Sequence, residues 1–380
     1  MTIIHGTFTI NSTLDNVKNL YSKYTYDNQK TNLPIVVMIH GFGLTIDAIT
    51  QTIMTRIANN GYFVVAIGMR GRKGATGSRD ASGRELHDIY DGINHIKANF
   101  PVSDKVIVSG YSGGGGNALG FAVKFPFVAN TIVNHFGMVD YGFDDVESWY
   151  MRNNQYRSSI RNFVGHARTP ENMNYYRTRN MYEALSNLQA KVFSYHDSED
   201  TGVSVELTNY LTGGLQTLDK PHTTKISNPS DNVRYLHDMS VSVKTEPEWL
   251  PYGKQTNKPT MENSGTFRVL GYLVTDHFKI FLGNLDDCVA DVVYDINNNS
   301  FTITPLSQQT MDVTVVIGNL QQTQTIQGET SFVFEGEEVT PPELPEITGI
   351  VKKQFVKQFG EYVPVKNSYI KVNEQWVIVK

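Results

Sequence analysis

Lys105-Val106-Ile107-Val108-Ser109-Gly110-Tyr111-Ser112-Gly113-Gly114 decides how this chain is read. A short apolar run climbs into a Gly-Tyr-Ser-Gly-Gly turn. Gly115 and Gly116 follow, and Asn117, Ala118, Leu119, Phe121 and Ala122 continue as a helix. Strand, sharp turn and helix are the layout of a nucleophile elbow. The hydroxyl of Ser112 clears the sheet only from a sparsely populated backbone conformation. Side chains on the flanking residues would collide with the strand and helix packed there, so glycine is used. The turn also puts Ser112 at a helix N-terminus, where unpaired N–H groups favour a developing oxyanion. Gly-x-Ser-x-Gly is a weak signal by itself, because a flexible glycine-rich loop reads the same way. A phosphate cradle is disfavoured by the missing Gly-Lys-Ser/Thr ending, and a dinucleotide site by the missing Gly-x-Gly-x-x-Gly pattern.

The flanks supply the context. Residues 33–39 form a continuous apolar run, as expected of a strand buried on both faces, and end in His40-Gly41-Phe42-Gly43. Thr45 is placed to cap the segment in which Ile46, Ile49, Ile53 and Ile57 recur at helical spacing. Residues 62–67 read as the next buried strand, followed by Arg70-Gly71-Arg72 and a polar loop to Gly83. Residues 85–100 read as a helix with Leu86, Ile89, Ile93 and Ile96 inward. Beyond the elbow, strands are expected over 131–136, 190–195 and 222–226, with a helix over 203–218. Residues 3–10 and 17–26 read as two further strands. This alternation predicts an α/β fold with a doubly wound, mostly parallel sheet over residues 1–250. Between about 140 and 185 the pattern gives way to Tyr, Asn and Arg. Trp149, Tyr150, Tyr156, Tyr175 and Tyr176 there point to a helical cap over the site, with Trp149, Tyr150 and the elbow's Tyr111 as substrate-contacting candidates.

The remainder reads differently. Glu246-Pro247-Glu248-Trp249-Leu250-Pro251-Tyr252 and the polar stretch to Gly265 look like a linker. Short apolar runs at 267–274, 278–282, 288–294, 301–304, 313–317 and 331–334 follow without helices between them. They predict a small β-sandwich over 265–337. Thr340-Pro341-Pro342-Glu343-Leu344-Pro345 is a stiff linker. After it, Val356-Lys357, Tyr362-Val363 and Val365-Lys366 repeat as Ile370-Lys371, Trp376-Val377 and Val379-Lys380. Two hairpin-like halves over 346–380 are too small for a core of their own and would need a partner surface or self-association.

Composition sets outer bounds. Of 380 residues, 40% are hydrophobic and 19% charged, and the net charge is -5, which does not fit a general nucleic-acid binder. No apolar stretch is long enough to span a bilayer, so no membrane partner is expected. The N-terminus lacks the pattern of a signal peptide. Cys288 is the only cysteine, so no intrachain disulfide forms. No His-Glu-x-x-His or comparable spacing supports a metal, and no cofactor is expected.

Four landmarks now carry a family resemblance: His40-Gly41-Phe42-Gly43, the elbow, His196-Asp197-Ser198-Glu199-Asp200-Thr201-Gly202-Val203, and a late histidine. Residues 30–240 resemble the α/β-hydrolases, in style the prolyl-oligopeptidase and dienelactone-hydrolase-like esterases. That resemblance implies a serine hydrolase working through an acyl-enzyme. The family's acid loop runs His-Gly-x-x-Asp-x-x-Val, which puts Asp200 on the acid position and Val203 on the apolar one. Asp197 replaces the usual glycine, and Asp197 and Glu199 stand as rival acids. By the same likeness His237 takes the base position, with His222 as the rival. The resemblance further implies an oxyanion hole from the backbone N–H groups of Phe42 and Gly113. An ester or acylated-polymer substrate is expected, with a serine peptidase or a non-catalytic binding protein as alternatives. The C-terminal repeat weakly resembles terminal modules of phage virion proteins. Attachment to a particle or to a second copy is therefore expected, in the cytoplasm or on a virion released by lysis.

Overall fold

The computed structural model describes residues 2–141, 160–306 and 310–334, together with four short strands between 355 and 379. Trp149, Tyr150 and Tyr156 lie outside the described residues.

The first sheet has eight strands: β1 (Ile3–Ile10), β2 (Leu20–Asp27), β3 (Leu33–Ile39), β4 (Phe63–Ala66), β5 (Val102–Tyr111), β6 (Thr131–His135), β7 (Lys191–Asp197) and β8 (His222–Ser227). Their spatial order is β1-β2-β4-β3-β5-β6-β7-β8. β4, β3, β5, β6, β7 and β8 are parallel, while β1 and β2 add an antiparallel edge. Alternate residues of the central strands face opposite cores. Ile35, Val37, Val106 and Val108 meet the residues of α2 (Glu85–Asn99), α3 (Gly113–Lys124) and a later helix (Val205–Thr217). Val36, Met38 and Ile107 meet α1 (Gln51–Asn59) and the helix Val241–Gln255. Thr45 caps a single turn at Ile46–Ala48, and Thr50 caps α1 by accepting the Ile53 N–H. Between β6 and β7 the described part of the 140–185 stretch is short and helical. It holds the turns Pro170–Asn172 and Met181–Asn187 around α4 (Met173–Arg177), and the helices Val205–Thr217 and Val241–Gln255 are then α5 and α6. Ile160, Val164, Tyr176 and Met181 are buried in the first core.

α6 corrects the linker expected around residues 246–252. The two prolines, Pro247 and Pro251, sit inside the helix. Tertiary contacts outweigh their lost N–H donors. Trp249 is fully buried, Glu246 is bidentate to Arg56, and the hydroxyl of Tyr62 donates to the Leu250 carbonyl at 2.7 Å.

The C-terminal strands form one antiparallel sheet rather than two stacked ones. It consists of β9 (Ser264–Leu270), β10 (Tyr272–Val274), β11 (Phe278–Leu282), β12 (Val289–Asp295), β13 (Ser300–Pro305), β14 (Met311–Ile317), β15 (Leu320–Ile326) and β16 (Thr330–Val333), in the order β15-β14-β11-β10-β9-β12-β13-β16. The side chain of Gln322 on β15 donates to the carbonyl of Val333 on β16. The sheet therefore curls until its two edge strands approach, enclosing Val269, Leu273, Ile280, Val313 and Phe332. β15 was not expected from the sequence, because Leu-Gln-Gln-Thr-Gln-Thr-Ile is polar and lies on the exposed edge. The two sheets belong to one compact unit, Met1–Phe334. Buried polar contacts join them. Lys124 Nζ donates to the Leu270 carbonyl, Arg179 pairs with both Asp80 and Asp286, and the hydroxyl of Tyr272 donates to the Gly83 carbonyl.

Glu335–Lys380 is a separate unit. Its hairpins are β17 (Phe355–Gln358) with β18 (Glu361–Pro364), and β19 (Ser368–Val372) with β20 (Gln375–Val379). The repeat extends to the pairing: Val356 faces Val363 as Ile370 faces Val377, and Lys357 faces Tyr362 as Lys371 faces Trp376.

Trp249→Ala should destabilise the first unit by about 3–5 kcal/mol, the usual cost of deleting a buried Trp side chain. Chemical denaturation followed by circular dichroism measures it.

Candidate active site

Ser112 follows directly on β5 with φ 56 and ψ -124. A non-glycine residue held there is strained, and the surroundings hold it. Its N–H donates to the His135 carbonyl at the end of β6. A Cβ on Gly110 would lie 1.9 Å from the Gly114 carbonyl oxygen, and one on Gly114 would lie 2.5 Å from the carbonyl oxygens of Ile39 and His40. The elbow thus presses directly on the end of β3, which leads into His40-Gly41-Phe42. A Cβ on Gly41 would lie 3.4 Å from the Ser112 Cβ, and one on Gly113 would strike the Phe42 ring. The Phe42 loop and the first turn of α3 therefore lie side by side. The rings of Phe163 and Tyr141 stand 5.7 Å and 6.1 Å from Phe42 and form an aromatic wall. Phe163, on the described part of the expected cap, thus reaches the Phe42 loop.

Asp200 lies in the loop after β7 with its carboxylate fully buried. One oxygen accepts the N–H groups of Gly202 and Val203, and the other lies 2.7 Å from His237 Nδ1 and 3.2 Å from His196 Nε2. Burial pulls the pKa of this carboxyl upward. The hydrogen bonds from His196, His237 and Val203 outweigh it and hold the group well below the ordinary carboxylate range. With Asp200 ionised, His237 Nδ1 is the donor and Nε2 carries the lone pair. His237 is exposed, and its ring lies 4.3 Å from the ring of Phe136. Phe136 follows the residue whose carbonyl receives the Ser112 N–H, so adjacent residues support the elbow and the imidazole.

The other histidines are engaged elsewhere. His222 begins β8, at the end of the strand opposite the carboxyl edge where the elbow, the 197–203 loop and His237 gather. His196 is buried between the Thr208 hydroxyl and the Val203 carbonyl and braces the acid loop. His135 is buried, stacked on Tyr111 and bonded to the Thr245 hydroxyl, so it does not line the site. Burial pushes its pKa down to about 3 and that of His40 to about 4, and His40 Nδ1 donates to the Gly41 carbonyl. His40 is thus a neutral organiser of the Phe42 loop.

One expected site residue is placed differently. Tyr111 points into the core on the α6 side and is buried, so it is not an open substrate contact. Trp149 and Tyr150 are outside the described residues. Of the rival acids, Glu199 is largely exposed, and Asp197 faces Arg234 rather than an imidazole. Arg234, Ser227 and Phe136 are the parts missed by sequence reasoning. The one available signal was Asp197 standing where the family pattern has glycine. Among the described residues no group of three or more His, Cys, Asp or Glu could hold a metal ion.

Residues 49–242, just over half of the chain, match the prolyl oligopeptidase family. The chain belongs to that family. It is 24% identical over 172 residues to the Bacillus subtilis protein named "Uncharacterized peptidase YtmA", covering 44% of this chain and 64% of that one. Among solved structures it is similar to the acylaminoacyl peptidase of Pyrococcus horikoshii, with TM-score 0.53, 16% identity and coverage of 69% of this chain and 43% of that one. It is also similar to a structure titled as a putative dipeptidyl aminopeptidase IV from Bacteroides ovatus, with TM-score 0.54, 17% identity and coverage of 67% and 36%. The chain thus spans 64% of the length of this curated relative and less than half of these two structures. These likenesses establish the α/β-hydrolase fold.

His40 and His135 stay neutral in the folded chain at pH values where a free imidazole, at 6.5, takes a proton. The stability they contribute is complete above 6.5 and is lost as the pH falls from there toward 4. The slope is about 1.4 kcal/mol per pH unit for each group. Urea unfolding at several pH values should show this decline, and a His40→Gln, His135→Gln double variant should show a shallower one.

Proposed function

We propose that this chain is a serine hydrolase that cleaves a carboxylic ester through an acyl-enzyme. One observation carries the reading. Asp200 holds His237 by a 2.7 Å hydrogen bond, on the edge of the sheet where Ser112 stands at a helix N-terminus with positive φ.

In this reading Ser112 Oγ attacks the ester carbonyl carbon while its proton passes to Nε2 of His237. The imidazolium is stabilised by Asp200, which stays ionised. The carbonyl electron pair moves to oxygen and is met by the N–H groups of Phe42 and Gly113. Collapse of the tetrahedral adduct breaks the bond to the leaving oxygen, which takes the proton from Nε2. Water then repeats the sequence on the acyl-enzyme, with its proton going to Nε2, and releases the acid. The wall of Phe42, Phe163 and Tyr141 suits a short acyl group. The exposure of His237 leaves room for an alcohol that remains part of a larger body. An O-acetyl group on a cell-surface glycan or teichoic-type polymer meets both conditions. The C-terminal hairpin pair would then attach the enzyme to a particle or to a second copy.

The peptidase reading has its own support, since the matched family and the relatives named above carry peptidase names. The same residues would cleave an amide, with His237 protonating an amine in place of an alcohol.

Hydrolysis of p-nitrophenyl acetate should be measurable and should fall by about 10³-fold or more in Ser112→Ala. A fluorophosphonate probe should label Ser112 on mass-spectrometric mapping. Equal activity in both proteins with no labelling would reject the reading. Cleavage of acyl-peptide or aminoacyl p-nitroanilide substrates with higher kcat/KM than any ester would favour the peptidase.

A further inference from the structure

His237 sits in an exposed loop between β8 and α6, and what holds that loop in place is not part of the triad. Asp197, the last residue of β7, is buried at 1% exposure. It pairs in register with Ser227, the last residue of β8. Its carboxylate accepts the Ser227 hydroxyl at 2.6 Å, the Glu199 N–H at 3.0 Å, and both Nε and Nη2 of Arg234. The same Ser227 hydroxyl oxygen accepts the N–H of Tyr235 at 2.8 Å. Two consecutive residues of the loop, 234 and 235, are therefore anchored to one carboxylate, one directly and one through Ser227. His237 follows two residues later. Lys244 Nζ reaches back from α6 to the Arg234 carbonyl, and the Tyr235 ring lies 5.3 Å from that of Tyr195. Arg234 Nη2 also reaches the exposed Glu199 carboxylate at 3.3 Å, whereas the contacts of the Asp231 N–H with Asn228 and of the Ser240 N–H with Asp238 stay within the loop.

We infer that Asp197, acting through Arg234 and Ser227, is a positioning residue that holds the His237 loop so that the imidazole meets Asp200. This rests on the reading of Ser112, His237 and Asp200 as a triad. The planar Arg234 fork on a carboxylate fixes direction as well as distance, which a point charge does not. Asp197 stands where the resembled acid-loop pattern has glycine, a residue that could supply no carboxylate to Arg234. One strand end then supplies both the group that orients the base and, three residues earlier, the group that carries the loop bearing it.

The experiment compares wild type with Arg234→Met, Arg234→Lys and the double variant Asp197→Asn, Arg234→Met, which leaves no unpaired buried charge. Ester hydrolysis, thermal melting and the low-field proton resonance of His237 Nδ1–H are read for each, with Asp200→Asn assigning the resonance. The double variant should melt close to wild type. Its kcat should fall about 10- to 100-fold, the loss expected from an ångström-scale misplacement, with KM changing by less than about twofold. The resonance should weaken or exchange away, and Arg234→Lys should fall between. A double variant with wild-type kcat and an unchanged resonance would overturn the inference. A wild type that neither hydrolyses esters nor takes a fluorophosphonate would defeat the proposed function instead. The resonance would still decide the clamp in that case, because it does not depend on turnover.

Discussion

The structure depends on a close approach of backbones at the elbow. The end of β3, the end of β5 and the first turn of α3 occupy the volume that side chains on Gly110 and Gly114 would need. Ser112 is held between them at φ 56. Such a conformation costs on the order of 1–3 kcal/mol and persists only where packing over-determines it. Here α3 is buried along its whole length, and the Ser112 N–H is bound to the His135 carbonyl. The Phe42 loop follows from this contact, since its start is the strand end against which Gly114 is pressed. The position of His237 follows as well, since Phe136 supports the imidazole and His135 supports the serine.

The end of β7 supplies the second half of the site. Two acids three residues apart are both ionised, for different reasons. Asp200 is buried and satisfied by two backbone N–H groups and two imidazoles. Asp197 is held at about pKa 2, first by the hydrogen bonds of Arg234, with Ser227 and the Glu199 N–H adding to them against burial. A buried charge is tolerated only when it is paired and fully hydrogen-bonded, and each carboxylate reaches that condition through local N–H groups together with one side chain from the loop that follows β8. The difference between them lies in the partner, an imidazole in one case and a guanidinium in the other.

The curled C-terminal sheet is joined to the hydrolase core by directional contacts. Arg179 lies between Asp80 and Asp286, and Arg84 also meets Asp286. Lys124 is buried with its ammonium on the Leu270 carbonyl and over the Tyr272 ring, and burial lowers its pKa to about 7. Such contacts fix the relative placement of the two sheets more narrowly than apolar packing alone. They join residues between about 100 and 200 positions apart, so no local pattern announces them.

The sequence by itself determined the order of strands and helices around Ser112, because a buried parallel strand, an amphipathic helix and a glycine-walled turn each have a short-range signature. That Asp200 and His237 would meet was an expectation from the family likeness, and the structure brings the two side chains within hydrogen-bond distance. The strand β15, the helix α6 across Pro247 and Pro251, and the curling of the second sheet were not legible. In each, local preference points one way and burial or edge exposure decides another. The sandwiching of Tyr111 in the core and the clamp from Asp197 to Arg234 were decided only in three dimensions. A carboxylate's role is set by which distant cation or imidazole the fold brings within hydrogen-bond reach, and that distance is not written in any window of sequence.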